Sequence, residues 1–265
     1  MPKELIFVKL GGSVITDVNM PNTARMENIV RLVNEIKKAS KNKLIILGHG
    51  GGSFPHVPAH KYGIGAGLNS KDSRIGTAIT QKSAAELHQI IMTALIGSGV
   101  NAFSFSPSSS VVASGKRIVR WDISPIKSAL RLGFVPVVYG DVAIDTKQGV
   151  SIVSTEEIFR YLSGKLKPNK IVIGTDVDGV FTSDPKDSDS SRLIKVINRS
   201  NLNKTNFSSR GRKFNVTGSM RSKVLELYEI SRNSNILCQI INANKRGRMY
   251  DAILGNEVTS TIIQG

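Results

Sequence analysis

Gly48-His49-Gly50-Gly51-Gly52-Ser53-Phe54-Pro55-His56 follows directly on the apolar run Leu44-Ile45-Ile46-Leu47. The apolar run reads as a buried strand, and the residues after the glycines are small enough to start a helix. Glycines between a strand and a helix let several backbone N–H groups turn inward together, because no Cβ stands in the way of a ligand. The partial positive charge of a helix N-terminus favours the same occupant, a phosphate or a carboxylate. A glycine triplet is also compatible with a plain flexible turn. A second site of the same kind, Lys9-Leu10-Gly11-Gly12-Ser13 after the strand Leu5–Leu10, raises the first above that. Two anion cradles at two strand ends imply two anionic groups brought together.

The chain has 265 residues, 40% hydrophobic and 21% charged, enough for one large α/β domain or two lobes. No apolar run approaches the roughly 18 residues of a membrane helix, and Met1 to Leu5 carry no signal-peptide pattern. A single cysteine, Cys238, excludes an internal disulfide framework. It fits a cytoplasmic setting and reads as a small buried apolar residue. The formal charge of +16 raises the question of a nucleic-acid partner. The basic residues are scattered, however, with one concentration at Lys204, Arg210, Arg212 and Lys213 and a short one at Lys245, Arg246 and Arg248. No nucleic-acid-binding signature accompanies them, so the charge is assigned to solubility and to attraction of highly anionic substrates.

Taken in order, the pattern predicts alternating strands and helices. Lys9 interrupts an otherwise apolar strand at its carboxyl end, where ligands gather in open α/β sheets; a lysine there is costly unless it meets an anion. Thr23 is expected to cap a helix carrying Ile29, Leu32, Val33 and Ile36. A long helix is expected from about Ile75 to Ile96, with Ala84, Leu87, Ile90, Ile91 and Leu95 on one face. Further strands are expected at Ala102–Phe105, Phe134–Tyr139, Asp141–Asp145, Gly149–Val153, Lys170–Thr175, Ile236–Ile241 and Thr259–Ile263, with a hairpin at Val111–Val119. Helices are expected at Ile123–Arg131, from Thr155 to Ser163, from Val216 to about Arg232 and near Gly247–Leu254. This alternation describes a three-layer αβα sandwich around a mostly parallel sheet. His49 is expected behind the glycine loop, and His60 and His88 on helix surfaces.

Four motifs in sequence order resemble the amino-acid kinase superfamily: Lys9-Leu10-Gly11-Gly12-Ser13, Gly50-Gly51-Gly52-Ser53-Phe54, Thr175-Asp176-Val177-Asp178-Gly179, and Val216-Thr217-Gly218-Ser219-Met220 with Lys223. Within it, Ile15-Thr16-Asp17, His56 and Tyr139-Gly140-Asp141 are most similar to the archaeal isopentenyl phosphate kinases. The likeness runs from Leu5 to the last strand. It implies a single amino-acid kinase domain over 1–265, with an acceptor lobe of about 1–165 and a nucleotide lobe of about 166–265. It also implies ATP-dependent phosphorylation of isopentenyl phosphate, Mg²⁺ as the phosphates' counterion without an all-protein cage, and a homodimer. Such a reaction crowds negative charges: two unit charges at ~4 Å repel by about 4 kcal/mol at an effective dielectric near 20. Fixed cations and aligned donors are therefore needed more than a strong base.

By that resemblance Lys9 and Lys223 bridge the transferring phosphoryl, and Glu156 holds the two lysines. Gly11, Gly12, Ser13, Thr175, Asp176, Asp178, Gly179 and Gly218 serve ATP, with Asp184 and Lys186 near its base or ribose. Gly51, Gly52, Ser53, Thr155 and His56 serve the acceptor phosphate. The chain departs from the branch at Val18 in place of a lysine, Pro55 in place of a glycine, Thr155-Glu156 in place of Gly-Asp, Asn215 in place of an aspartate and Ser219 in place of a glycine. Arg25 is a candidate replacement cation. Two alternatives stay open: a same-fold kinase for another small phosphate, phosphonate or carboxylate, and a catalytically silent nucleotide-binding regulator.

Overall fold

The computed structural model describes residues 3–183, 190–202 and 220–265. In chain order the elements are β1 (Leu5–Leu10), α1 (Gly12–Ile15), α2 (Met26–Ser40), β2 (Leu44–His49), α3 (His56–Lys61), α4 (Ser73–Gly97), β3 (Ala102–Ser104), β4 (Val112–Ser114), β5 (Arg117–Arg120), α5 (Ser124–Arg131) and β6 (Val135–Tyr139). They continue with β7 (Asp141–Asp145), β8 (Gly149–Val153), α6 (Thr155–Leu166), β9 (Lys170–Thr175), β10 (Val180–Phe181), β11 (Leu193–Ile194), β12 (Val196–Ile197), α7 (Met220–Ser234), β13 (Leu237–Asn242), α8 (Arg248–Leu254) and β14 (Ser260–Ile263).

An eight-stranded sheet in the order β12-β14-β13-β9-β1-β2-β6-β3 forms the central layer. Its pairings are parallel except β13 with β14. Central strands buried on both faces need apolar side chains on both, and β1, β2 and β9 supply them. The two-residue alternation along β1 assigns its faces. Ile6, Val8 and Leu10 pack with α2, α4 and α8 on one side. Phe7 packs with α5, α6 and α7 on the other. Lys9 shares the parity of Phe7, so its side chain faces the layer that contains α6.

β1 is flanked by β2 and β9, in register Lys9↔Gly48 and Lys9↔Ile173. The loops after β1, β2 and β9 therefore emerge side by side at the carboxyl edge, which is where this architecture gathers ligands. A second sheet, β5-β4-β7-β8, stands beside the main one. Asp145 ties its two turns together by accepting from the N–H groups of Gly115, Lys116 and Lys147.

Two expectations are corrected. Thr23 does not cap α2: its hydroxyl donates to the Pro21 carbonyl, and the residue before the helix is Arg25. His88 is not on a helix surface but buried, at 3% exposure. Cys238 is fully buried as expected. The basic concentration at Lys204, Arg210, Arg212 and Lys213, the positions Asp184 and Lys186, and the segment 216–219 that was to open α7 lie outside the described residues. Among the described residues no helix is long and apolar enough to cross a membrane.

Phe159 of α6 lies against Phe7 of β1, ring centroids 5.1 Å apart, and both are fully buried. A Cβ on Gly48 would come within 2.8 Å of the Phe159 ring, so this contact also seats the strand that leads into the glycine loop. Phe159→Ala is expected to cost about 3–5 kcal/mol of stability, read as a lowered midpoint in urea unfolding followed by circular dichroism.

Candidate active site

The first glycine loop is held by backbone contacts that only glycine permits. The Gly11 N–H donates to the Gly174 carbonyl at 2.9 Å, and a Cβ there would lie 2.4 Å from that oxygen. A Cβ on Gly12 would lie 2.5 Å from the Gly52 nitrogen, so the two glycine loops pack backbone on backbone. Thr16 stitches them together: its hydroxyl donates to the Gly12 carbonyl at 2.8 Å and accepts from the Ser53 N–H at 3.0 Å. Gly52 adopts a positive φ of 55° against that threonine, a backbone shape that glycine takes without strain. Pro55 packs its ring on Gly51, where a Cβ would meet the proline Cγ at 2.2 Å. Among the described residues, the N–H groups of Gly12, Ser13, Gly51 and Gly52 have no protein partner. They are the donors a pair of anions would need.

Charged groups converge on these loops. Lys9 reaches Glu156, the second residue of α6, with Nζ 2.5 Å from Oε2, and both side chains are nearly buried. Burial by itself would raise the Glu156 carboxyl, but the Lys9 and Lys223 ammonium charges outweigh it and hold the group below its ordinary range. The other oxygen, Oε1, is buried without a partner among the described residues, as is the Ser53 hydroxyl. His56 opens α3 and is pushed down to about 4, first by burial and then by the charges of Lys223 and Lys9, with Glu156 opposing. The imidazole is therefore neutral at neutral pH and able to donate one N–H. Four groups distant in the chain, Lys9, His56, Glu156 and Lys223, thus share one electrostatic neighbourhood.

The remaining candidate residues border this centre. Ser13 donates to Asp176 at 2.8 Å, linking the loops after β1 and β9. Thr175 donates to the carbonyls of Val177 and Ile241, which shapes the turn after β9. Asp178 pairs with Arg248 at 2.5 Å, a partner that the reading of motifs did not single out. Gly179 lies against Thr261, whose hydroxyl accepts from the Val180 N–H at 2.7 Å. Thr155 donates its hydroxyl to the His49 carbonyl at 2.7 Å and so ties the start of α6 to the end of β2. Arg25 stands 3.8 Å from Asp17. Gly218 lies outside the described residues.

A groove of about 260 Å³ runs between α3 and α4, lined by Val57, Tyr62, Ile79 and Ser83 and bordered by Asn22, Lys61, Lys82 and Glu86. Reasoning from sequence missed the stitching role of Thr16 and the pairing of His49 with His88. The four-residue spacing from Gly12 to Thr16, one helical turn, was the available signal for the first.

The doubly covered sheet, the paired glycine loops and the buried lysine–carboxylate pair beside them define an α/β fold with two anion cradles side by side at the carboxyl edge of its sheet. The sequence profile of the amino acid kinase family matches residues 4–242, and the chain belongs to that family. It is 38% identical to the isopentenyl phosphate kinase of Methanothermobacter thermautotrophicus, an alignment covering 98% of this chain and 99% of that protein. It is 36% identical to the isopentenyl phosphate kinase of Methanocaldococcus jannaschii, covering 98% of each. A crystal structure of an isopentenyl phosphate kinase superposes with a TM-score of 0.86 at 35% identity, covering 98% of this chain and all of the other.

Glu156→Gln leaves the Lys9 ammonium buried beside a neutral amide, a loss of about 3–5 kcal/mol at neutral pH. Because the folded state lowers the Glu156 pKa, its contribution is complete above the ordinary value of 4.5 and disappears as pH falls through the folded value. The stability gap between wild type and Glu156→Gln is therefore expected to be constant above about pH 5 and to close on acidification. Urea titrations across that range measure it; a gap independent of pH would remove the charge of Glu156 from the account.

Proposed function

We propose that this chain transfers the γ-phosphoryl group of ATP to isopentenyl phosphate, giving isopentenyl diphosphate and ADP. An oxygen of the acceptor phosphate attacks the γ-phosphorus while the bond to the ADP oxygen breaks. No proton need be removed, since the attacking oxygen is already ionised. The observation that carries this reading is the buried Lys9–Glu156 pair beside two glycine loops whose N–H donors have no partner among the described residues, within electrostatic reach of Lys223 and His56. In this reading Lys9 and Lys223 follow the charge of the travelling phosphoryl, and Glu156 keeps Lys9 in position. Gly12 and Ser13 serve ATP, and Gly51, Gly52 and His56 hold the acceptor phosphate. The neutral His56 suits that task as a hydrogen-bond donor. The name shared by full-length relatives supports the choice of acceptor. The groove between α3 and α4, whose lining includes Val57, Tyr62 and Ile79, is the proposed place for a short apolar tail.

Mg²⁺ is proposed as the counterion of ATP. Among the described residues no three ligating side chains cluster into a metal site, and Mg²⁺ prefers phosphate oxygens and water. No step is assigned to the ion. The seam between β1 and β9 is proposed as the boundary between an acceptor lobe, about 1–165, and a nucleotide lobe, about 166–265. A cytoplasmic setting is proposed from the free, buried Cys238.

A homodimer is proposed from edge strand β3. Phe103 is 48% exposed there and clusters with Phe105 and Phe134. An unpaired edge with an aromatic patch favours a second copy over water. Phe103→Glu is expected to halve the mass measured by sedimentation; an unchanged mass would place any interface elsewhere.

A coupled ADP-release assay with isopentenyl phosphate, dimethylallyl phosphate, fosfomycin and acetylglutamate tests the reaction. Turnover is expected on isopentenyl phosphate above the others, and Lys9→Ala should lower kcat on the order of 10²–10³-fold. ATP binding with no turnover on any acceptor would favour the silent regulator instead.

A further inference from the structure

Behind the second glycine loop lies a chain of polar groups that the proposed chemistry does not use: His49 and His88 are buried, and Ser104 at its end is exposed. Nδ1 of His49 is 3.2 Å from the Gly50 carbonyl oxygen, and its Nε2 is 3.0 Å from Nδ1 of His88. Nε2 of His88 is 2.6 Å from the Ser104 hydroxyl on β3. The Tyr139 ring stacks on both imidazoles, 5.4 Å from His49 and 4.2 Å from His88, and fixes their planes.

The chain has one consistent proton arrangement. A carbonyl oxygen only accepts, so His49 Nδ1 must carry a proton. In a neutral ring His49 Nε2 then accepts, His88 Nδ1 donates to it, and His88 Nε2 accepts from the Ser104 hydroxyl. Both rings are neutral: burial, with His88 and Lys9 nearby, pushes His49 down to about 3, and burial pushes His88 down to about 4. The chain ends on the Gly50 carbonyl, which belongs to the same planar trans peptide as the Gly51 N–H. The two point in opposite directions. A peptide between two glycines has little steric preference between its two faces, so the direction of that N–H needs an external lock.

We propose that Ser104, His88 and His49 form a tautomer-locked relay that pins the Gly50–Gly51 peptide with its N–H turned into the acceptor cradle. His88 and Ser104 are thereby positioning residues for the acceptor phosphate, acting from the far edge of the sheet. This rests on the reading of Gly51 as an acceptor-phosphate donor. The relay's direct contact is with the acceptor loop, whereas the donors assigned to ATP, Gly12 and Ser13, belong to the other loop.

The test uses the complete chain labelled with nitrogen-15 in its histidines, with ring signals assigned by single substitutions. His49 and His88 are both expected to carry the proton on Nδ1 with Nε2 bare; a proton on Nε2 of either ring overturns the relay. Kinetics then read its effect. His88→Phe keeps a ring in the stack but ends the relay, and should raise KM for isopentenyl phosphate by about tenfold or more while KM for ATP stays within about twofold. His88→Gln, which both donates and accepts, should recover most of the loss. An unchanged acceptor KM, or an equal rise in both KM values, would overturn the positioning role. If His88→Phe fails to fold, His88→Met, which fills the site without a ring nitrogen to donate to His49, gives the same readings. Absence of turnover by the wild type would instead sink the kinase reading and leave the tautomers to be judged by the ring signals alone.

Discussion

An ammonium group near the end of a fully packed strand is unfavourable unless its charge is answered, and the Lys9–Glu156 pair is that answer. Desolvation of two ions costs several kcal/mol apiece, which their attraction returns only at close range and in a fixed geometry. The surroundings supply the geometry. Strand alternation turns Lys9 toward the layer of α6, and the Ser154 hydroxyl caps α6 by accepting from the Glu157 N–H at 3.1 Å. Thr155 anchors the same turn to the end of β2. Glu156 therefore meets Lys9 because two strands and a helix start are already in place. The pair leaves one carboxylate oxygen without a partner among the described residues, so it is not closed upon itself.

Around that pair the two glycine loops come closer than any side chain would allow. Their mutual contact, stitched by Thr16, sets the distance between two rows of backbone donors. Backbone donors suit a reaction between two polyanions, since they are held by the fold and need not reorganise as charge moves. Pro55, one of the departures from the pattern of the branch, is accommodated because its neighbour across the turn, Gly51, has no Cβ.

A second charged cluster joins the helices that carry Glu156 and Lys223. Arg117 of β5 donates to Glu157 of α6 and to Glu226 of α7, both at 2.7 Å, and lies 3.3 Å from Glu229. Arg160 closes on the same Glu157. Glu157 follows Glu156, and Glu226 stands one turn after Lys223, so the cluster ties together the two helices that carry the carboxylate and the second lysine. A network of this kind, partly buried and with several partners, holds geometry better than an isolated surface pair.

Much of this was legible in the chain itself. Apolar runs of four to six residues punctuated by glycine announced β1, β2 and β9, and Asp141–Asp145 and Gly149–Val153 pair across Lys147-Gln148 as expected. Lys9 and the glycine loops were legible because each breaks a local rule, a charge in a buried strand or a triplet without side chains. His88 was misjudged by its residue type, although its spacing from Ala84 and Ile91 places it on the buried face of α4. Thr23 was misjudged because its hydroxyl found the nearer Pro21 carbonyl, and helix α2 begins after Arg25. Periodicity, glycine placement and charge in an apolar setting are local properties, and from them the sequence determined the longer strands, the layers and the two cradles, though not the two-residue strands β10, β11 and β12. Which lysine meets which carboxylate, how Thr16 joins two loops, and why two histidines 39 positions apart share a proton arrangement depend on contacts between remote segments. Only the packed sheet, by bringing β1, β2, β6 and the start of α6 to one edge, decided those.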